Sequence, residues 1–141
     1  MIRSCLQGIW ILLIGISVQA QVLIRDQDEE LPAGTKVEAQ PGTLNFLVIG
    51  DWGRNGEDHQ KLVAAQMGRT ATQVKADFIV STGDNFYPSG VISEHDPLFF
   101  FSFENIYTDF SLQWDWYVTL GNHDYKSDPD AQVRYTNISR R

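Results

Sequence analysis

Residues 44–53, Leu44-Asn45-Phe46-Leu47-Val48-Ile49-Gly50-Asp51-Trp52-Gly53, decide how the chain is read. A short apolar run ends in Gly-Asp, the pattern of a buried strand that breaks into a turn at its carboxyl end. The pattern returns twice. Asp77-Phe78-Ile79-Val80-Ser81-Thr82 runs into Gly83-Asp84-Asn85-Phe86-Tyr87, and the stretch from Trp114 to Leu120 runs into Gly121-Asn122-His123-Asp124. Between the first two lies Glu57 to Val74, proline-free, with Leu62, Ala65, Met67, Ala71 and Val74 near helical spacing. It reads as a helix packed on a sheet. Before the third, Pro97 to Tyr107 holds Phe99, Phe100, Phe101 and Phe103 and reads as a second helix. Strand, helix, strand, helix, strand specifies an α/β fold with a parallel sheet.

The whole sequence has 141 residues, enough for one small domain or part of a larger one. A hydrophobic share of 43% and a charged share of 21% are ordinary globular values and exclude wholesale disorder. With 18 Asp+Glu against 11 Lys+Arg, the net charge is −7, which argues against general binding to nucleic acid or anionic membranes. The single cysteine, Cys5, makes no internal disulfide and no multi-cysteine zinc site.

At the amino terminus, Arg3 precedes the apolar run Ile9 to Val18, which is shorter than the roughly 20 residues a bilayer span needs. Val18-Gln19-Ala20 follows, with small residues flanking a bulkier one. Residues 1–20 therefore read as a signal peptide cleaved after Ala20, against the alternatives of a buried strand or an uncleaved anchor. Cys5 leaves with it, and the product is expected to be secreted or exported (extracellular, periplasmic, vacuolar or lysosomal) with no stable membrane anchor. Residues 21–43, with Asp26, Asp28, Glu29, Glu30, Pro32 and Pro41, read as a flexible acidic lead-in. Residues 44–141 form the domain.

In an open α/β sheet, ligands bind beyond the carboxyl ends of the strands. If the three strands are neighbours, Asp51, Asp84 and Asn122 meet at one sheet edge, with Tyr87 and His123 beside them. Two carboxylates, a carboxamide and a phenol favour a hard cation, and a phenolate oxygen suits ferric iron. A second cation can share Asp84 as a bridge, and two metals about 3.5–4 Å apart polarise a phosphoryl group. His123 can protonate a leaving alkoxide or hold phosphate oxygens. Taken singly, each motif also reads as an ordinary turn.

Together, Gly50-Asp51-Trp52-Gly53, Gly83-Asp84-Asn85-Phe86-Tyr87 and Gly121-Asn122-His123-Asp124 resemble the first three motifs of the purple acid phosphatases. The small, tartrate-resistant type within the calcineurin-like metallophosphoesterases is the nearest pattern. The resemblance runs from Leu44 to Arg141 and includes Val63-Ala64-Ala65-Gln66-Met67-Gly68 and Asp96-Pro97-Leu98-Phe99. It implies the amino-terminal β-α-β-α-β half of a calcineurin-like sandwich. It also implies hydrolysis of phosphate monoesters in acid by a metal-bound hydroxide. Asp51 and Tyr87 would bind Fe(III), Asp84 would bridge, Asn122 would bind a divalent Zn, Fe or Mn, and His123 would contact phosphate and assist the leaving group. A ferric ion suits acid operation because it acidifies bound water more than a divalent ion does. Where most relatives carry Asp-x-His, this chain has Gly53, and Tyr87 takes a place on the iron instead.

The resemblance also implies later histidine ligands. This chain has three histidines, His59, His95 and His123, and none follows Asp124. His59 and His95 read as solvated. The chain thus resembles the amino-terminal part of an enzyme and is expected to fold poorly and lack full activity alone. The competing readings are a catalytically inactive fragment or isoform, and a phosphodiesterase or nucleotidase of the same superfamily. Asn137-Ile138-Ser139 is an N-glycosylation sequon or a polar surface loop. Trp52, Trp114 and Trp116 read as packing residues.

Overall fold

Three parallel strands form one sheet in the order β1 (Phe46–Ile49), β2 (Phe78–Ser81), β3 (Trp116–Val118). The computed structural model describes residue 39 and residues 42–141. The proposed leader lies outside the described residues, as does most of the acidic lead-in. The register pairs Phe46 with Phe78 and Ile79 with Trp116. Side chains alternate across a strand, so this register puts Leu47, Ile49, Ile79, Ser81 and Trp116 on one face. That face is the core side: Ile79 and Ser81 are fully buried and Trp116 nearly so.

The first crossover is α1 (Gln60–Val74), three residues shorter at its start than the sequence pattern indicates. Asp58 and His59 take left-handed backbone, φ 47° and 65°, which no helix continues. The Gln60 side chain then gathers the loop in front of it. Its Oε1 accepts from the backbone N–H groups of Arg54 (3.1 Å) and Gly56 (2.7 Å), and its Nε2 donates to the Ser102 carbonyl (2.8 Å). The buried face is Gln60, Ala64, Gly68, Ala71 and Val74. This corrects the spacing-based face: Ala71 and Val74 are in the core, but Leu62 is 67% exposed and Ala65 is exposed. Small residues face inward because the neighbouring segment comes very close. A Cβ on Gly68 would lie 2.6 Å from the Asp109 carboxyl carbon, and Ser111 Oγ donates to the Gly68 carbonyl at 2.8 Å.

The second crossover is not the expected α-helix over 97–107. It is a six-residue π-helical segment, Phe99–Glu104, followed by a 3-10 turn at Phe110–Leu112. The wider π turn is closed by the Asn105 N–H on the Phe100 carbonyl (3.0 Å). It buries Phe99 and Phe103 and lets Ser102 Oγ accept from the Asn55 N–H (2.9 Å) and donate to Asn55 Oδ1 (3.0 Å). Phe100 and Phe101 remain more than half exposed. Trp52 stands at the centre of the resulting core, with ring contacts to Phe86, Phe103, Tyr107 and Trp116. Trp52 and Trp116 are packing residues as expected, whereas Trp114 is 46% exposed against Phe110.

A short helix, α2 (Asp130–Tyr135), follows β3. Tyr135 stacks on Phe99 at 3.6 Å, and Arg134 pairs with Asp128 (2.6 Å) and Glu94 (2.9 Å). The sequon residue Asn137 is exposed just beyond α2. The opposite sheet face carries Phe46, Val48 and Tyr117, exposed by 39%, 59% and 58%, and nothing among the described residues covers it. No described helix is long and apolar enough to cross a membrane.

Two measurements check this packing. Ile79→Ala should cost about 2–5 kcal/mol in urea unfolding, while Leu62→Ala should stay within about 0.5 kcal/mol. The Arg134 guanidinium holds the Asp128 carboxyl below its usual range. A depressed folded-state pKa stabilises above the unfolded value and is lost as pH falls through the folded one. The stability gap between the parent and Arg134→Gln should therefore be present at neutral pH and close as Asp128 protonates in strong acid.

Candidate metal centre

Each strand ends in a glycine-led loop, and the three loops touch backbone to backbone. The Asp51 N–H donates to the Gly83 carbonyl at 3.1 Å, and the Tyr87 N–H to the Gly53 carbonyl at 2.8 Å. A Cβ on Gly121 would lie 2.3 Å from the Asp84 nitrogen, and one on Gly53 would lie 1.9 Å from the Asn85 carbonyl oxygen. Neither position has room for a side chain.

Asp124, fully buried, organises these loops. Its carboxylate accepts from the backbone N–H groups of Asn85 (3.0 and 3.1 Å), Phe86 (3.2 Å) and Gly121 (2.9 Å), and from Gln132 Nε2 (2.9 Å). Asn85, also fully buried, donates through Nδ2 to the Thr119 carbonyl (2.7 Å) and to Gln132 Oε1 (3.0 Å). Its Oδ1 accepts from Ser81 Oγ, which itself accepts from Trp52 Nε1 at 2.9 Å. The polar chain thus runs from the first strand end to the third. Sequence reasoning quoted Asp124 and Asn85 within the motifs but gave them no role. Their signal was their place directly beside the candidate ligands.

On this frame Asp51, Asp84 and Tyr87 come together. Both aspartates have left-handed backbone, φ 57° and 52°. Such non-glycine positions cost roughly 1–3 kcal/mol each and cluster at functional sites. The Tyr87 hydroxyl donates to Asp51 Oδ1 and lies 3.2 Å from Asp84 Oδ2. One proton therefore serves three oxygens, two of them on carboxylates. Partial burial, then the hydrogen bond and charge of Asp51 and the charge of Asp84, push the Tyr87 phenol well above its ordinary range. A hard cation bound to these oxygens would take the place of that proton, so the donor set fits one. Among the described residues no three His, Cys, Asp or Glu side chains gather as a metal site. The oxygen set reaches three donors because a tyrosine joins two aspartates.

His123 stands beside Tyr87, ring centroids 4.4 Å apart, and its backbone N–H donates to Asp84 Oδ1 at 2.8 Å. Its Nδ1 lies 2.7 Å from the Pro88 carbonyl oxygen. The Lys126 ammonium lies 2.9 Å from the same nitrogen and 3.4 Å from Nε2, so the ring is held between Tyr87, Pro88 and Lys126. Asn122 follows Gly121, which packs against Asp84, and its side chain is exposed with no hydrogen bond among the described residues. The structure thus gathers Asp51, Asp84 and His123 around Tyr87 and sets Asn122 next to His123 on the same loop. His59 and His95 are both exposed, as expected. Two cations missed by sequence reasoning border the site: the Arg54 guanidinium 3.8 Å over the Tyr87 ring, and Lys126 Nζ 2.9 Å from His123 Nδ1.

Asp124→Asn keeps the shape but removes acceptor capacity from a buried group surrounded by N–H donors. It should lower stability by about 2–3 kcal/mol, read as a shifted urea midpoint. Gly121→Ala should disorder the site with a comparable loss.

Residues 44–141 match the family model described as calcineurin-like phosphoesterase. The chain is 59% identical over 92 residues to purple acid phosphatase 17 of Arabidopsis thaliana, covering 65% of this chain and 27% of that protein. It is 37% identical over 138 residues to tartrate-resistant acid phosphatase type 5 of Rattus norvegicus, covering 94% of this chain and 39% of the relative. Among solved structures it is similar to GAP50, titled the anchor in the inner membrane complex of Plasmodium. There the TM-score is 0.60 and the identity 29%, over 64% of this chain and 29% of that one. The chain spans well under half the length of these relatives. The match over residues 44–141, with its parallel sheet and strand-end site, establishes that this chain belongs to the calcineurin-like phosphoesterase family.

Proposed function

We propose that the protein carrying this chain is an exported acid phosphatase that hydrolyses phosphate monoesters at an Fe(III)–M(II) centre, M being Zn, Fe or Mn. The observation that carries the reading is the Tyr87 hydroxyl set between Asp51 and Asp84. The backbone contact at Gly53 supports it, because the space beside Asn85 would not admit a histidine there. Similarity to purple acid phosphatases and tartrate-resistant acid phosphatases points the same way.

In this reading Asp51 and Tyr87 would hold the ferric ion, Asn122 would hold the divalent metal, and Asp84 would serve both. When bound, the metals supply charge for the phosphoryl oxygens and a nucleophile at mild pH. The chain's own residues do the rest. The Asp51–Gly83 and His123–Asp84 backbone hydrogen bonds keep the ligand loops in register. The Pro88 carbonyl and the Lys126 ammonium orient the His123 ring, which in this reading meets a phosphate or leaving-group oxygen. Export rests on the leader, cleaved after Ala20.

The test uses the longest natural polypeptide containing residues 44–141, loaded with iron and zinc. A visible tyrosinate-to-ferric band should appear and vanish in Tyr87→Phe. Hydrolysis of p-nitrophenyl phosphate should be best in acid, and His123→Ala should lower kcat about 10²–10⁴-fold. The secreted product should begin at Gln21. A colourless protein that prefers bis(p-nitrophenyl) phosphate would overturn the reading in favour of a phosphodiesterase. A protein that takes up metal but cleaves neither ester would place it with non-catalytic members.

A further inference from the structure

We propose that Arg54 is a positioning residue for the candidate metal ligand Tyr87. Its guanidinium covers the Tyr87 ring, holds it in place and stabilises the electrons that the ring would share with a ferric ion. The inference rests on the metal reading proposed above and deepens it, by naming the group that sets the electronic character of the tyrosine.

Arg54 and Tyr87 are joined twice. The Gly53 carbonyl accepts from the Tyr87 N–H at 2.8 Å, and the next residue, Arg54, places its guanidinium carbon 3.8 Å from the centre of the Tyr87 ring. The root of the arginine side chain is fixed as well. Its N–H donates to Gln60 Oε1 at 3.1 Å, and its carbonyl accepts from the Glu57 N–H at 2.9 Å. Gln60 is buried and donates to the Ser102 carbonyl at 2.8 Å, so this anchor belongs to the core. The guanidinium therefore leaves a held backbone and is directed at the ring. Arginine suits such a place because its flat, delocalised cation stacks on an aromatic face.

The charge is also available to the ring. Arg134 and Arg141 hold carboxylates at 2.5–2.9 Å, whereas Arg54 Nη1 lies 3.6 Å from Asp58 Oδ2, and the Asp58 side chain is 73% exposed. A long, solvated ion pair of that kind is worth little. At its other end Tyr87 meets the carboxylates of Asp51 and Asp84, which raise the energy of the ring electrons. A cation on the ring face lowers it. Light absorption by a tyrosinate–ferric pair moves electron density off the ring and leaves the ring more positive beside the guanidinium. Arg54 makes that transition more costly, and removing its charge shifts the band to longer wavelength.

The experiment uses the longest natural polypeptide containing residues 44–141, loaded with iron and zinc, and compares its visible band with those of Arg54→Met and Arg54→Lys. Methionine keeps an apolar chain against the ring without the charge, and lysine keeps the charge. The band should move to longer wavelength by roughly 10–40 nm in Arg54→Met, the scale of one nearby charge at an effective protein dielectric. In Arg54→Lys it should move clearly less. The urea midpoint of metal-free Arg54→Met should stay near that of the parent. An unmoved band in Arg54→Met overturns the inference. An equal shift in both variants also overturns it, because packing and not charge is then what was lost. A large fall in the urea midpoint overturns it too, by giving Arg54 a merely structural role. A parent that takes up iron without a visible band overturns the tyrosinate reading itself, a result distinct from a band that is present and unmoved.

Discussion

Asp124 is a carboxylate sealed from solvent, and its oxygens are the acceptors on which the strand-end loops converge. Burying a charge is expensive unless hydrogen bonds replace the lost water, and here backbone N–H groups from two loops do so. The same bonds fix where those loops can be. Asp84 and Tyr87 flank the Asn85 and Phe86 donors in sequence, and Asn122 and His123 lie between Gly121 and Asp124. The geometry of the candidate ligands is thus inherited from a fully buried residue that is not one of them.

The site built on that frame is unfavourable by design of its charges. Two aspartates in left-handed backbone are brought to one phenol, whose single proton cannot satisfy both carboxylates. A bound hard cation would resolve the conflict, since it would replace one proton with a charge large enough for all three oxygens. Arg54 over the Tyr87 ring and Lys126 beside His123 soften the negative field at its rim. Backbone strain, crowded oxygens and flanking cations all point to one location.

How far the sequence could be read depended on the kind of interaction involved. The strands were legible because apolar runs ending in Gly-Asp carry their own punctuation, and the parallel order followed from the crossovers between them. That Asp51, Asp84, Tyr87 and His123 gather at one sheet edge was legible because the three motifs repeat at strand ends. The inward face of α1 was not, because Leu62 is the more hydrophobic choice, while close packing at Gly68 selects small residues. Nor was the π-helical segment, since a run of phenylalanines fits either helix type until Asn55 and the Trp52 cluster claim their partners.

By itself the sequence determined element order, the strand ends and the residue types able to bind a hard cation, because these are set by local composition and periodicity. Tertiary structure alone decided which groups meet. Gly53 and Gly121 are required by backbones from other loops, and Asp124 finds its Phe86 and Asn85 donors across 38 and 39 residues of chain. These are long-range contacts whose energy depends on distance and burial, which no local pattern encodes.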